Sequence, residues 1–453
     1  MSQRTKCTTK LNNRELLSKV RKMLSGKDLI RIEGDEFLLN PKVYSDSEIF
    51  NLELERIFHG LWTYVGHASE FPNPGDYKVV RVGRYPVLLV KGKDGVIRGF
   101  VNKCTHRGNI LCRTFKGNAK FFKCIYHGWV FSTEGKVIGV PDREGFPSDY
   151  DFSRKNLVAV HVETYRGLIF ASITPKVSLE EQLGDVKQLI DYIFNIGENV
   201  EVKGPIRYAY PGNWKLVVEN TLDMYHFPVL HESVALLSEK LNNRSPQRLS
   251  NAAVGGKRLD VAFNGVGYLR GGHGFVSISR EITNLREQFD AVVGETGLDN
   301  FDRQRAEFRR KATFHVYVFP NLLIHDYDNT VPTLRVISPV DVGLTEIQSY
   351  TFFPKNLRRE LKRKILRAHE EVRGATGMSN ADDNEIMGVI QIASTVEEPP
   401  LFLSKGLNRE EKENKVLNEA GVRFEGVSNS LDDTFIRGFY KWWSNTMFGS
   451  EDK

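Results

Sequence analysis

The sequence predicts an α+β chain in which a small all-β domain precedes a larger domain of mixed helix and strand. Three observations predict it. Between Tyr77 and about Ile173, short β-rich runs (YKVVRVG, PVLLVKGKDG, IRGFVNK, AKFFKCIY, WVFSTEGKVIGV, LIFASI) alternate with turn signals. After Pro175 the texture becomes mixed, with a helical period over 178–195 and strand material over 200–210. Farther on, FHVYVF, LLIHDY, TLRVIS and EIQSYTFF read as strands within 314–353, and 355–373 follows as a strongly amphipathic helix.

The elements are justified in chain order. Residues 13–25 form a short amphipathic pattern stopped by Gly26. Residues 46–62 predict a second helix, with Ser45 as cap, Glu48 completing a capping box, and Phe50, Leu54, Ile57 and Leu61 on one face. Lys93-Asp94-Gly95 and Thr133-Glu134-Gly135 sit between strands as hairpin turns. A helix is expected from about Asn213, and the 355–373 helix carries Leu357, Leu361, Ile365, Ala368 and Val372 on its apolar face. The charge-rich stretches 284–311 and 405–415 read as solvated helix faces or loops. The expected division is an N-terminal extension (1–45), a β domain with its leading helix (46–175) and a second domain (176–453).

With 453 residues, 40% of them hydrophobic and 26% charged, the chain can bury a large core and is neither disordered nor fibrous. A net charge of +6 is too mild to argue for nucleic acid. Apolar runs such as Val87-Leu88-Leu89-Val90 are far too short to span a membrane, and no secretory signal stands at the N-terminus, so a cytoplasmic protein is expected. The four cysteines, Cys7, Cys104, Cys112 and Cys124, are too few for a disulfide framework; three lie close together, as metal ligands do.

Cys104-Thr105-His106 is followed, after 17 intervening residues, by Cys124-Ile125-Tyr126-His127. Two thiolates and two imidazoles suit either a closed tetrahedral zinc or a [2Fe–2S] cluster with both thiolates on one iron and both imidazoles on the other. Common zinc fingers pair Cys with Cys and His with His. Here each loop supplies one of each, which suits two loops closing on a two-iron cluster. Gly108 and Gly128 allow backbone amides to approach, and Arg107 adds a cation. The pattern C-T-H-R-G…C-x-Y-H-G-W resembles the Rieske domain of ring-hydroxylating oxygenase α subunits. Cys112 and Cys7 have no place in it and read as buried apolar thiols.

A second constellation lies at 219–231, E-N-T-L-D-M-Y-H-F-P-V-L-H. Helical period puts Asp223 and His226 on one face, and a break at Pro228 would turn His231 back toward the same point. Two His and one remote carboxylate make the facial triad of non-haem Fe(II) oxygenases. D-x-Y-H-x4-H is similar to the catalytic signature of the same family, and Asp382-Asp383 resembles its D-D segment. The resemblance implies that Asp383 ligates iron, with Asp382 the alternative, and that Asp223 links His226 to His127 of the next protomer. The position before Asn220 departs from the family's usual Asn or Gln; it is Glu219, to which no role is carried over. Asn220, Phe227, Leu230, Met378 and Met387 are candidates for the substrate pocket, and Arg373 for clamping an aromatic carboxylate.

The resemblance runs from about Glu53 to about residue 395, is weaker before Pro41 and after Pro400, and is nearest the benzoate, toluate and anthranilate group. It implies an all-β Rieske domain and a catalytic domain whose large antiparallel sheet is flanked by helices carrying mononuclear iron. It further implies a terminal oxygenase that takes NAD(P)H-derived electrons from a reductase, directly or through a ferredoxin, and uses O₂ for cis-dihydroxylation of an aromatic compound, with aromatic carboxylates as one candidate class. A homotrimer, α3 or α3β3 with a small β subunit, is expected, with no nucleic acid and no membrane. The alternatives are a Rieske monooxygenase or demethylase and, more distantly, a zinc-stabilised binding protein without catalysis.

Overall fold

The computed structural model describes residues 29–194, 200–233, 236, 264–279, 311–325 and 331–449. The predicted helix at 13–25, Cys7 and nearly all of the charged segment 284–311 lie outside them.

Strands β1 (Ile30–Glu33) and β2 (Glu36–Leu39) form a hairpin, extended by β20 (Leu401–Phe402) from the far end of the chain. The helix expected over 46–62 forms in two pieces, α1 (Ser47–Glu53) and a π-helical turn at Leu54–Phe58. Its cap is Asp46, whose carboxylate accepts from the amides of Glu48 (2.7 Å) and Ile49 (3.1 Å). Ser45 instead donates to the carbonyl of Ser394, so the capping box does not form. A carboxylate one residue later satisfies two orphan amides at once and displaces the hydroxyl. The predicted apolar face is buried, but among Tyr210, Trp214, Leu216 and Phe439 of the second domain rather than in the β domain.

The β domain holds ten strands: β3 (Thr63–His67), β4 (Asp76–Val82), β5 (Tyr85–Lys91), β6 (Ile97–Val101), β7 (Lys116–Asn118), β8 (Phe121–Lys123), β9 (Val130–Ser132), β10 (Val137–Gly139), β11 (Ala159–Tyr165) and β12 (Leu168–Ser172). They make a seven-stranded sheet in the order β3-β12-β11-β6-β5-β4-β7 and a small sheet β10-β9-β8. Both predicted hairpin turns occur. Gly95 and Gly135 adopt φ of +80° and +78°, which a side chain would oppose.

The expected helix 178–195 is divided at Gly184 (φ +44°) into α2 (Leu179–Leu183) and α3 (Val186–Ile193). An eight-stranded antiparallel sheet follows: β13 (Val200–Tyr210), β14 (Gly265–Leu269), β15 (His273–Ser279), β16 (Ala312–Val318), β17 (Leu322–His325), β18 (Thr333–Asp341), β19 (Leu344–Pro354) and β21 (Gly426–Asn429), in the order β13-β19-β18-β17-β16-β15-β14-β21. The alternation of side chains divides its two faces. Phe314, Val316, Leu334, Val336 and Phe352 pack on α2, α3 and on Trp62, Tyr64, Leu168 and Phe170 of the β domain. On the opposite face, Tyr317, Leu323, Ile337 and Ile347 meet α4 (Trp214–Leu222). Beyond α4 come α5 (Phe227–Leu230), α6 (Arg359–Arg373), α7 (Met378–Ala393) and α8 (Thr434–Phe448). Helix α6 starts later than the expected 355. It buries Ile365, which packs with Leu357, Val331 and Phe353. The tail beyond Pro400, whose resemblance is weaker, is built into the domain: β21 extends the sheet beside β14, and α8 buries Phe435, Phe439 and Trp443. Residues 405–415 are mostly exposed loop, as expected, although Glu410 reaches inward to pair with the buried Arg437 at 3.3 Å.

Candidate metal centres

The first centre is built from two loops of matching design, one after β6 and one after β8. In each, a cysteine carbonyl accepts from a later glycine amide, Gly108 to Cys104 at 2.9 Å and Gly128 to Cys124 at 3.0 Å. Both glycines are left-handed, with φ of +77° and +72°. The turn aims the amides of His106 and Arg107 at the Cys104 sulfur, and those of Tyr126 and His127 at the Cys124 sulfur. Asn109 Nδ2 lies 3.8 Å from the same Cys124 sulfur. Both sulfurs are buried, and both cysteines are free, as is Cys112, which lies in the apolar core below.

The imidazoles of His106 and His127 stand edge to face, 4.6 Å apart, and Trp129 stacks on His106 at 4.9 Å and 5°. Burial holds His106 below its ordinary pKa, and repulsion from His127 and Arg107 adds to the effect. Burial pushes the Cys104 thiol up. It opposes ionisation of Cys124 as well, but there the amide of Tyr126, the Cys104 thiol, the amide of His127 and Asn109 overcome it and bring the thiol down. His106 Nδ1 is buried without a hydrogen-bond partner. An imidazole with an orphaned nitrogen, beside two sulfurs surrounded by N–H donors, fits a [2Fe–2S] cluster.

The second centre begins at Asn213, which caps α4 through Lys215 N–H (3.1 Å) and ties it to the carbonyls of Tyr44 (3.1 Å) and Val342 (2.9 Å). The helix ends at Leu222. Asp223 is already extended, and its carboxylate accepts from the Tyr225 amide at 2.6 Å. Asp223 and His226 therefore meet through a turn rather than along a helix face. Pro228 also acts differently from expectation. It stands in the first turn of α5, where its missing N–H costs nothing, and so starts a turn instead of ending a helix. His226 and His231 flank that one turn, with rings 5.3 Å apart.

Asp383 arrives from α7. Its Oδ1 lies 3.1 Å from His231 Nε2 and 3.6 Å from His226 Nε2. The donor atoms of His226, His231 and Asp383 all lie within 4.8 Å of one another, the one such group of three among the described residues. Each imidazole is held from behind by a carboxylate: His226 Nδ1 by Asp223 Oδ2 at 3.1 Å, His231 Nδ1 by Asp382 Oδ2 at 3.2 Å. Carboxylate–imidazole pairs of this kind fix the tautomer that leaves Nε2 free for a metal. Burial works against a charged His231, but Asp383 and then Asp382 outweigh it and raise its pKa. Burial likewise opposes ionisation of Asp383, but His231, His226 and the Asn220 amide lower it below the ordinary carboxylate range.

Asn220 donates to Asp383 Oδ1 at 3.1 Å, so its side chain meets the ligand group directly. Phe227 packs edge-on against His231 at 5.2 Å, and Leu230 is half-buried on the same turn. Met378 is exposed at the start of α7. Met387 is buried in the core beneath α7. The side chain of Arg373 lies outside the described residues. Glu219 faces away from the centre and accepts hydrogen bonds from Tyr44 (2.8 Å) and Tyr440. Sequence reasoning missed the partnership of Asp382 with His231. The doublet is visible in the sequence, but adjacency alone does not tell that Asp382 backs His231 while Asp383 faces its Nε2.

Comparison with known proteins agrees with both centres. Residues 198–448 match the ring hydroxylating alpha subunit (catalytic domain) family and residues 61–164 the Rieske [2Fe-2S] domain family. The chain belongs to the ring-hydroxylating α subunits. It is 31% identical to the 2-halobenzoate 1,2-dioxygenase large subunit of Burkholderia cepacia over 81% of this chain and 79% of the relative. It is also 31% identical to the toluate 1,2-dioxygenase subunit alpha of Pseudomonas putida, over 78% and 79%. The fold matches naphthalene 1,2-dioxygenase from Rhodococcus sp., with a TM-score of 0.77, 24% identity, 97% of this chain and 100% of that one.

This α subunit is thus an oxidoreductase, the large terminal-oxygenase subunit of a ring-hydroxylating dioxygenase served by a reductase. The Rieske cluster and mononuclear iron of the family are its cofactors, and the donor sets above fit them. A zinc-stabilised, non-catalytic protein is excluded by the same matches. No described helix is long and apolar enough to cross a membrane.

Proposed function

We propose that this α subunit dihydroxylates an aromatic carboxylate. The reading is carried by the relatives named for 2-halobenzoate, toluate and anthranilate, together with the converging His226, His231 and Asp383. Those three side chains would hold the iron, and Cys104, His106, Cys124 and His127 the cluster. When bound, the two groups supply single electrons and an O₂-activating metal. The protein's own work is positioning. Asp223 and Asp382 orient the imidazoles, Asn220 holds the Asp383 carboxylate, and Phe227 and Leu230 line the apolar side of the substrate space.

The functional unit is a trimer in which Asp223, partly exposed, links His226 to His127 of the next protomer. Exposed Tyr225 and Val229 beside Asp223, and exposed Ile125 and Tyr126 beside His127, support such a contact. A small β subunit, a ferredoxin as intermediate carrier and a cytoplasmic location complete the proposal, as does a domain boundary near residue 61 that leaves α1 with the catalytic core.

The test is turnover of benzoate by the reconstituted holoenzyme under labelled O₂. Two labelled oxygens in a cis-diol are expected. One labelled oxygen would favour the second reading, a monooxygenase, which has support from the salicylate 5-hydroxylase large oxygenase component of Ralstonia sp., 28% identical over 89% of this chain and 93% of that relative.

A further inference from the structure

The sheet face beneath α4 is apolar at both ends and polar between them. Along β18 and β19, Ile337 and Ile347 fill one end and Val331 and Phe353 the other, while Leu323 of β17 lies directly beside Arg335. Between the two ends, alternation along β18 and β19 puts Arg335 on the same face as Ile337, and Ser349 on the same face as Ile347, with Arg335 and Ser349 directly paired across the strands. Both catalytic elements stand over this face. Helix α4 packs on it and leads into the His226 turn. Helix α7, which carries Asp383, reaches it through Met387 and through the hydrogen bond from Tyr208 to Asn380 (3.2 Å).

Arg335 is more than nine-tenths buried, its Nε has no hydrogen-bond partner, and no carboxylate of a described residue pairs with it. Ser349 Oγ opposite is buried and equally unpartnered. A buried guanidinium without an anion is costly, so proteins keep one only where something pairs with it. A planar carboxylate matches the fork of an arginine bidentately, and a hydroxyl beside it can donate to the same group.

We infer that Arg335, assisted by Ser349, is the subsite for the substrate's carboxylate, holding the aromatic ring between the sheet and the metal triad. This rests on the aromatic-carboxylate reading above and names the residues that would select for it.

The experiment compares holoenzyme with Arg335→Gln, Arg335→Lys and Ser349→Ala for calorimetric binding of benzoate and for turnover of benzoate and of uncharged toluene. Arg335→Gln is expected to weaken benzoate binding by about a hundredfold, with toluene turnover and the visible spectrum of the cluster unchanged. Arg335→Lys should recover part of the loss, and Ser349→Ala should weaken benzoate binding by several-fold. Should Arg335→Gln fail to fold, the other two variants decide. Variants that bind benzoate like the wild type, or lose toluene and benzoate alike, overturn the assignment of Arg335. Wild-type enzyme that hydroxylates toluene but binds no benzoate overturns the substrate class itself, and the subsite with it.

Discussion

The Rieske loops and the mononuclear site hold metals by opposite strategies. The four Rieske donors fall between Cys104 and His127, on two loops each closed by its own cysteine carbonyl and left-handed glycine. In the catalytic domain, 151 residues separate His231 from the Asp382 that orients it. The first centre is a property of local turns; the second exists only while α4 and α7 keep their relative position. That position depends on buried polar groups. Glu53, fully buried, accepts from Lys215 Nζ (2.6 Å), Trp214 Nε1 (2.8 Å) and Trp443 Nε1 (2.8 Å), joining α1, α4 and α8. Gln391 on α7 accepts from the Asn213 amide at 2.8 Å and donates to the Tyr44 carbonyl at 3.0 Å. A remote site therefore has distant points of failure that a local one lacks.

The contrast can be tested in order of expected effect. Asp383→Ala should abolish product formation and lower iron from about three to about two per chain, with the sulfide of the [2Fe–2S] cluster unchanged. Metal and acid-labile sulfide analysis reads this directly, and loss of sulfide would erase the independence of the two centres.

Next, Glu53→Ala leaves Lys215 buried and unpaired, which should cost about 3–5 kcal/mol in denaturant unfolding. Below the transition, the cluster's visible absorption should stay as in the wild type. A cost under about 1 kcal/mol would show that α4 is held by apolar packing alone.

The third effect depends on pH. Burial pushes the Glu219 carboxyl up to about 7, against the lowering effects of Tyr440, Tyr44 and Lys215. The folded chain then keeps a proton that the unfolded chain releases at about 4.5. Stability from this group is full below about 4.5 and is lost as pH rises through about 7, a change on the order of 3 kcal/mol. Glu219→Gln should flatten that decline in unfolding curves taken between pH 5 and 8.

The smallest effect is expected for Asp382→Asn, which weakens the support behind His231 without removing a ligand. Iron affinity or activity should fall by about 10- to 100-fold, with the cluster intact. Complete loss of iron would make Asp382 a ligand in place of Asp383.

Much of this was legible beforehand where the relevant physics is short-ranged. The Cys-x-His and Cys-x-x-His loops, the hairpin glycines and the period-2 strands of the large sheet read directly from neighbouring residues. His226 and His231 were legible because one turn joins them. What stayed hidden depended on competition or on distance. Asp46 displaced Ser45 as cap because two amides were within its reach. Helix α1 joined the catalytic core because its apolar face fits beside Trp214 and Tyr210, which lie far along the chain. By itself the sequence determined the chemistry of the two donor sets and the architecture that carries them. Tertiary structure alone decided that Asp382 backs His231 while Asp383 faces both imidazoles, and that Arg335 Nε and Ser349 Oγ lie buried on one sheet face with no hydrogen-bond partner among the described residues. Local spacing sets which side chains share a loop or a strand face, but long-range packing chooses what stands across from them.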